Sequence, residues 1–297
     1  MTHSPATPGG VDLTGQVAVV TGGTRGIGAE ITRAFLRAGA RVIVCGRSEP
    51  EELPGIDGRT PVFVQSDVRD PEQAKALVAA AVDRFGRLDI LVNNAGGAPS
   101  ADTATVSPRF VSAVVTLNLL APFYVAQQAN EVMQRQGSGT IINIGSVAGA
   151  NPAPDTAAYA AAKAGLTMLT RCLGLDFAPA VRVNQVTVGL VQTELSHLYY
   201  GDEAGQDRVA RTIPMRRMAT PADIAAACLL LVSPLSAYVT GTEIVVDGGE
   251  GPHRFGAAPP LLPAVEFGAS LRGRRAPPPR RGPPPQSRPA AGPTCRA

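Results

Sequence analysis

Short runs of valine and isoleucine alternate along the chain with longer segments rich in alanine, leucine and arginine, whose apolar positions recur at helical spacing. This alternation is typical of a parallel sheet with helices on both faces. It predicts strands near residues 16–21, 41–46, 61–66, 88–92, 139–145, 181–187 and 242–246. It predicts helices near 26–38, 71–85, 107–135, 156–178 and 221–232. We therefore expect an α/β fold, a doubly wound seven-stranded parallel sheet, formed as one domain over residues 12–251.

The two ends of the chain differ from this central domain. Residues 1–11 contain no apolar stretch preceded by basic residues, so we expect a flexible N-terminus without a secretion signal. Residues 252–297 hold 12 of the 27 prolines, and eight arginines against one acid, which predicts a disordered tail. Such a tail either binds an anionic partner or a proline-recognising module, or is an extension without a dedicated role.

Composition narrows the classes of function. The net charge is +3, but the tail is strongly basic, so the rest of the chain is net acidic and offers no general attraction for nucleic acid. Aromatic residues make up 4% and tryptophan is absent, which argues against a base-stacking surface. The sequence contains no run of about eighteen apolar residues, so it predicts no membrane span. The four widely spaced cysteines indicate neither a metal site nor a disulfide framework. We expect a cytoplasmic protein without a nucleic-acid or membrane partner.

A glycine-rich turn connects the first predicted strand to the first predicted helix. Its glycines follow the spacing G-x-x-x-G-x-G, which differs from the G-x-G-x-x-G dinucleotide fingerprint. Backbone N–H groups at such a helix N-terminus bind a pyrophosphate, and glycines allow its close approach. The alternative is an ordinary tight turn. The candidate cofactor-binding residues here are Gly22, Thr24, Arg25, Gly26, Ile27 and Gly28.

The end of the second strand indicates which dinucleotide binds. An acidic residue there holds the ribose of NAD, whereas an arginine accommodates the 2′-phosphate of NADP. Gly46 stands where that acidic residue would be, and Arg47 and Ser48 follow it. This favours NADP(H) over NAD(H). The alternative is that Arg47 is a solvated charge at a strand end. After the third strand, Asp67 with Val68 is a candidate for the adenine pocket, although Asp67 could equally cap the helix at 71–85.

Tyr159 and Lys163 are the strongest candidates for chemistry. They lie four residues apart in an alanine-rich segment, so they share one face of a helix. A phenol has a pKa of about 10 and needs positive neighbours to become an acid–base catalyst at neutral pH. Lys163 is one of only two lysines, beside Lys75, in a chain that otherwise uses arginine. The alternative is an incidental pair on an exposed helix face.

Further polar residues follow the ends of neighbouring strands, where an open parallel sheet binds its ligands. Ser146 follows the strand at 139–145 and is expected to hydrogen-bond a substrate carbonyl, or to be a plain turn residue. The strand at 88–92 leads into Asn94, Ala95 and Gly96 at the same crevice. Asn118, a poor helix former within 107–135, either bends the helix and holds a water or is an ordinary buried amide.

These motifs, in this order and spacing, resemble the short-chain dehydrogenase/reductase family over residues 12–251, and are similar to its 3-oxoacyl-thioester reductase branch. The resemblance implies the strand order 3-2-1-4-5-6-7 and hydride transfer between a nicotinamide and a carbonyl or alcohol. It implies that Tyr159 donates the proton, Ser146 orients the oxygen, Lys163 binds the nicotinamide ribose and Asn118 anchors a water relay. It also implies a homotetramer or dimer packed through the helices at 107–135 and 156–178.

The chain departs from the family pattern in two places. Val188 replaces the proline of the Pro-Gly pair after the sixth strand, although Gly189, Val191 and Thr193 match positions that contact the nicotinamide carboxamide. Prolines and glycines in 48–60 indicate that the usual crossover helix is absent or very short.

The resemblance also implies that residues 190–220 form a substrate lid. Its largely apolar composition favours an uncharged or acyl-type ketone, and the residues are Leu195, His197, Leu198, Tyr199, Tyr200, Ile213 and Met215. Of these, His197 either contacts the substrate or is merely solvated. The alternative function is a catalytically silent dinucleotide-binding sensor or scaffold.

Overall fold

A seven-stranded parallel sheet organises the molecule. The structure is a computed structural model that describes residues 10–251; the predicted tail, and most of the predicted flexible N-terminus, lie outside them. The strands are β1 Val17–Thr21, β2 Arg41–Gly46, β3 Val62–Gln65, β4 Ile90–Asn93, β5 Gly139–Ile144, β6 Val181–Val188 and β7 Glu243–Val246. They pair in parallel in the order β3-β2-β1-β4-β5-β6-β7. The predicted strands and the implied strand order are therefore confirmed.

Eight α-helices cover the sheet and its C-terminal edge within residues 10–251. They are α1 Gly26–Arg37, α2 Pro71–Phe85, α3 Pro108–Val115, α4 Ala121–Gln136, α5 Ala157–Asp176, α6 Ser196–Tyr200, α7 Glu203–Thr212 and α8 Pro221–Val232. In the described segment between β2 and β3 no helix forms, as the prolines and glycines there predict.

The sheet is buried on both faces because side chains alternate along each strand. In β1, Val17 and Val19 join the apolar core beneath α2 and α4, whereas Ala18 and Val20 join the core beneath α1 and α8. Every residue of β1 is buried. The carboxyl ends of the strands therefore form one rigid edge on which polar side chains can be placed.

The predicted helix 107–135 is interrupted by one π-helical turn, Thr116–Leu120, between α3 and α4. The whole segment Pro108–Gln136 is long and apolar enough, by length and composition alone, to cross a membrane. In this fold, however, Val125, Ala129 and Met133 of α4 are fully buried against the sheet.

The structure at the N-terminus of α2 shows that Asp67 is not the cap of this helix. The side chain that caps this helix belongs to Asp70, whose Oδ1 accepts hydrogen bonds from the backbone N–H groups of Glu72 (2.9 Å) and Gln73 (3.4 Å). Asp67 instead pairs with Arg69, whose Nε lies 2.9 Å from Oδ1 of Asp67. Asp67 lies too far before the helix to be its cap.

We predict that Asp70→Ala lowers the free energy of unfolding by about 1 kcal/mol because it removes the cap of α2. Asp67→Ala removes a partly exposed ion pair and is expected to cost about 0.5 kcal/mol or less. Urea unfolding of both variants at neutral pH measures the two losses. A larger loss for Asp67→Ala than for Asp70→Ala would contradict the assignment of the cap.

Candidate active site

The glycine turn after β1 forms a cradle that side chains would fill. Gly22 and Gly26 have φ angles of +61° and +53°, in the left-handed region that favours glycine. A Cβ added to Gly28 would collide with the carbonyl oxygen of Gly22 and the side-chain amide of Asn94. Thr24 and Ile27 are partly buried in the same turn. The backbone can therefore approach a phosphate closely at the N-terminus of α1.

Hydrogen bonds join the end of β1 to the end of β4. The hydroxyl of Thr21 accepts from the backbone N–H groups of Asn94 and Ala95, at 3.0 Å each. The side-chain amide of Asn94 donates back to the carbonyl oxygens of Thr21 (2.9 Å) and Gly22 (3.1 Å). These bonds fix the glycine turn against the Asn94–Gly96 segment, as one wall of the crevice.

One further residue supports the glycine turn and another lies beside it, and neither was indicated by the sequence. The hydroxyl of Thr32 in α1 lies 2.8 Å from the carbonyl oxygen of Gly28 and 3.1 Å from that of Gly23. Its only sequence signal is a threonine on the buried face of the helix. The carboxylate of Glu194 lies beside Gly26, where an added Cβ would be 3.7 Å from its Oε1.

At the other end of the cradle, Arg47 and Ser48 are exposed at the end of β2. The Arg69 guanidinium lowers the pKa of the Asp67 carboxyl below its usual value, and the charge of Arg47 adds to this effect. Arg47 therefore lies close enough to Asp67 for electrostatic interaction. Val68 is buried beside them. The sequence candidates for the adenosine end thus lie together.

Lys163 is the buried charge of the crevice. Its residue is 5% exposed, and its Nζ donates a hydrogen bond of 2.8 Å to the carbonyl oxygen of Ile144, at the end of β5. Burial lowers its pKa to about 8. The Nζ also lies 5.7 Å from the centroid of the Tyr159 ring. The helical spacing of the two residues therefore places the ammonium beside the phenol ring.

Asn118 lies in the π-helical turn and is fully buried. Its Oδ1 accepts from the backbone N–H of Gly97 at 2.8 Å. Its Nδ2 donates to the carbonyl oxygens of Gly97 (3.0 Å) and Val114 (2.9 Å). A Cβ added to Gly96 would lie 2.9 Å from Oδ1 of Asn118 and 3.4 Å from Nζ of Lys163. Asn118 and Lys163 therefore converge on Gly96.

Ser146 follows β5 at the carboxyl edge of the sheet, and it also begins a turn of 3₁₀ helix, Val147–Gly149. Its Oγ accepts from the backbone N–H of Ala148 at 3.2 Å, as expected for a turn residue. The hydroxyl retains its own proton for donation to another group. The turn packs on α5, because a Cβ added to Gly149 would lie 2.9 Å from the backbone nitrogen of Ala164.

The segment after β6 is held by backbone hydrogen bonds. Val188, which stands at the family's proline position, ends β6 and pairs with Val246. Gly189 approaches β7 so closely that an added Cβ would lie 2.7 Å from Cα of Asp247. Val191 is buried and forms a bridge with Ala219. Further on, the backbone N–H of Thr193 donates to Oγ of Ser196 at 2.7 Å.

The expected lid contains helices α6 and α7, which the sequence analysis did not predict. Asp202 caps α7 by accepting from the backbone N–H of Gly205 at 2.9 Å, and this aspartate was the available sequence signal. Ile213, one of the apolar residues of the lid, is buried with Val209 and Met218 in a small core of the lid itself. The side chains of Leu198 and Tyr199 lie outside the described residues.

These positions bring a phenol and a buried ammonium to the same sheet edge as a serine hydroxyl and a glycine-lined crevice. A nearby positive charge favours the ionised form of a phenol, so it can exchange a proton more readily than in water. The cradle of Gly22, Gly28 and Gly96 fits a dinucleotide, because side chains there would block its approach.

A protein-family model described as "Enoyl-(Acyl carrier protein) reductase" matches residues 21–250, which is most of the chain. The chain belongs to the short-chain dehydrogenase/reductase family. It is therefore an oxidoreductase that acts on alcohols or ketones with a dinucleotide cofactor.

Relatives of this short-chain dehydrogenase/reductase act on varied substrates. It is 37% identical over 265 residues to 3beta-hydroxysteroid dehydrogenase 1 of Eggerthella lenta, covering 86% of this chain and 98% of that protein. It is 34% identical over 244 residues to the 3-oxoacyl-(acyl-carrier-protein) reductase FabG of Thermotoga maritima, covering 80% of this chain and 98% of that protein. The crystal structure of a variant of the actinorhodin polyketide ketoreductase with NADPH is similar with a TM-score of 0.74 and 35% identity, covering 80% of this chain and 98% of that one.

The buried ammonium makes stability depend on pH in a defined direction. The pKa of Lys163 is lowered from 10.5 to about 8. The unfolded chain therefore binds more protons than the folded protein between these values, and the contribution of Lys163 to stability rises with pH across this window.

We predict that replacing Lys163 with methionine removes this dependence. The free energy of unfolding of the wild type, relative to Lys163→Met, should rise by about 3 kcal/mol between about pH 7 and about pH 11. Urea unfolding of both proteins across this range measures the difference, in a Tyr159→Phe background so that the titration of the coupled phenol does not contribute. A difference that does not change with pH would show that Lys163 is not a desolvated ammonium.

Proposed function

We propose that this short-chain dehydrogenase/reductase is an NADP(H)-dependent reductase of an uncharged or acyl-type ketone, with Tyr159 as proton donor. The observation that carries the proposal is the buried ammonium of Lys163 beside the Tyr159 ring. Burying a charge costs free energy, and such groups occur mainly at functional sites. An ammonium beside a phenol makes that phenol more acidic, which is a catalytic role for the buried charge. In this proposal residues 12–251 are the catalytic domain and 190–220 are the substrate lid.

The residues of the cradle divide into three groups by their position along the dinucleotide. The pyrophosphate group is Gly22, Thr24, Arg25, Gly26, Ile27 and Gly28. The adenosine group is Arg47, Ser48, Asp67 and Val68. The nicotinamide group is Asn94, Ala95, Gly96, Tyr159, Lys163, Gly189, Val191 and Thr193. The preference for NADP(H) is supported by two exposed cations, Arg47 at the end of β2 and Arg25 in the glycine turn.

When bound, the reduced nicotinamide supplies a hydride to the carbonyl carbon. Ser146 donates a hydrogen bond to the carbonyl oxygen and orients it. Tyr159 donates its hydroxyl proton to the same oxygen as negative charge develops there. Lys163 stabilises the phenolate that remains and hydrogen-bonds the nicotinamide ribose. Asn118 holds the Gly97 backbone and anchors a water through which the proton is replaced.

The substrate class is supported by an apolar cavity of about 230 Å³ that adjoins Tyr159. Val106, Phe110, Val111 and Val114 line it, from α3 and the loop before it. An apolar cavity next to the proton donor fits the hydrocarbon part of a ketone better than a charged or sugar-like substrate.

Assembly and location are part of the same proposal. We infer a homotetramer or dimer packed through the long helices, supported by Met168 and Leu175 of α5, which are 56% and 80% exposed. A cytoplasmic location is supported by the free thiols of Cys45, Cys172 and Cys228, which fit a reducing compartment.

We predict that Tyr159→Phe reduces the rate of NADPH-dependent ketone reduction at least about 100-fold, because the proton donor is lost. The binding of NADPH, followed by its fluorescence, should be retained. Tyr238→Phe is the control, because Tyr238 is fully exposed. The assay uses a panel of ketones that includes a β-ketoacyl thioester. Tight binding of NADPH without turnover of any ketone by the wild type would favour the silent sensor.

We predict that Arg47→Ala weakens the binding of NADPH about 10- to 100-fold, the effect of one charge-assisted phosphate contact, and changes the binding of NADH much less. Arg84→Ala is the control, because Arg84 is exposed in the last turn of α2, far along the chain from the carboxyl end of β2. Fluorescence titration with both cofactors measures the dissociation constants. Equal losses for the two cofactors would contradict the role of Arg47.

A further inference from the structure

Gln185 is a buried amide in β6 that the reaction described above does not use. It is fully buried, and its Nε2 donates hydrogen bonds to the hydroxyls of Thr187 (2.7 Å) and Thr167 (2.8 Å). A buried amide is costly unless its polar atoms are paired. The Oε1 of Gln185 lies 3.5 Å from the hydroxyl of Thr170, so both polar atoms of the amide have partners. Thr167 belongs to α5, and Thr187 belongs to the same strand as Gln185.

The orientation of this amide is determined by a carboxylate. The hydroxyl of Thr187 donates its single proton to Oε2 of Glu243 at 2.7 Å, so it can only accept from Gln185. The Glu243 carboxylate in turn lies 3.5 Å from the guanidinium of Arg171 on α5. The edge strand β7 thereby holds the amide with its nitrogen toward the threonine hydroxyls.

The same amide lies directly against the backbone that carries the candidate catalytic groups. A Cβ added to Gly145 would collide with Nε2 of Gln185 and lie 2.6 Å from its Cδ. Gly145 connects Ile144, whose carbonyl oxygen binds Lys163, to Ser146. On the helix side, the hydroxyl of Thr167 donates to the carbonyl oxygen of Lys163 at 3.3 Å.

We propose that Gln185 is a positioning residue that fixes the distance between the end of β5 and helix α5. It contacts Gly145 on one side and Thr167 on the other, so it determines how Ser146 stands relative to Tyr159 and Lys163. A displacement of about 1 Å between reacting groups can cost about 100-fold in rate. This inference rests on the proposed function for its catalytic consequence, whereas the positioning itself is independent of it.

A double-mutant cycle between Gly145 and Gln185 tests the contact. Gly145→Ala alone should lower kcat about tenfold or more, because the new methyl group collides with the amide and displaces Ser146. Gln185→Ala alone should also lower kcat, because the side chain that separates the end of β5 from α5 is lost. In the double variant the methyl group occupies space left by the amide, so kcat should be at least about tenfold higher than the product of the two single effects predicts.

A second pair of variants separates positioning from general stability. Gln185→Met keeps most of the volume but removes both donated hydrogen bonds. Asn184→Ala is the matched control: Asn184 is equally buried on the same strand, and its Nδ2 donates to the carbonyl oxygen of Val239 at 2.8 Å instead of to Thr167. Both variants should lower the melting temperature. Only Gln185→Met should lower kcat, with the dissociation constant of NADPH unchanged.

Hydrogen exchange provides a readout that does not need turnover. Exchange of backbone amides in 144–149 and 163–167 should be faster in Gln185→Met than in Asn184→Ala. Additive effects in the cycle, or equal exchange in the two variants, would overturn the positioning role. If the wild type reduces no ketone, the proposed function fails. The exchange result alone then decides whether Gln185 fixes the end of β5 relative to α5.

Discussion

The candidate site depends on keeping one ammonium group charged inside the protein. Lys163 is almost completely removed from water, and its ammonium donates to a backbone carbonyl of β5 rather than to a carboxylate. A carboxylate partner would stabilise the charge but would also weaken its field at the Tyr159 ring, which the proposed mechanism requires. Without such a partner, burial lowers the pKa of Lys163 to about 8, and most Lys163 side chains are still charged at neutral pH.

The fold supplies the rigidity that this arrangement needs. The carbonyl that binds Lys163 ends a strand in the middle of the sheet, and the packing on both faces holds that strand in place. The π-helical turn brings Asn118 to the backbone beside Gly96, and the glycine turn is tied to β4 through Thr21. Each functional group is thus attached to a buried element, and backbone glycines leave the space between them for ligands.

The sequence predicted the fold and most candidate site residues because their signals are local. Strand alternation, the glycine turn and the spacing of Tyr159 and Lys163 can each be recognised within a few residues. The contacts of Gln185 and Thr32 and the position of Glu194 could not be predicted, because they depend on how residues apart in sequence pack together. The cap of α2 was ambiguous for another reason. Asp67 and Asp70 are chemically alike, and only the start of the helix distinguishes them.

In the proposed mechanism, positive neighbours make the Tyr159 hydroxyl more acidic than that of free tyrosine. Labelling tyrosine at Cζ and following the Tyr159 resonance through a pH titration, with the oxidised cofactor bound, measures that acidity directly. We expect a pKa well below that of free tyrosine in the wild type, and a substantially higher one when Lys163 is replaced by methionine. A wild-type pKa equal to that of free tyrosine would contradict the account.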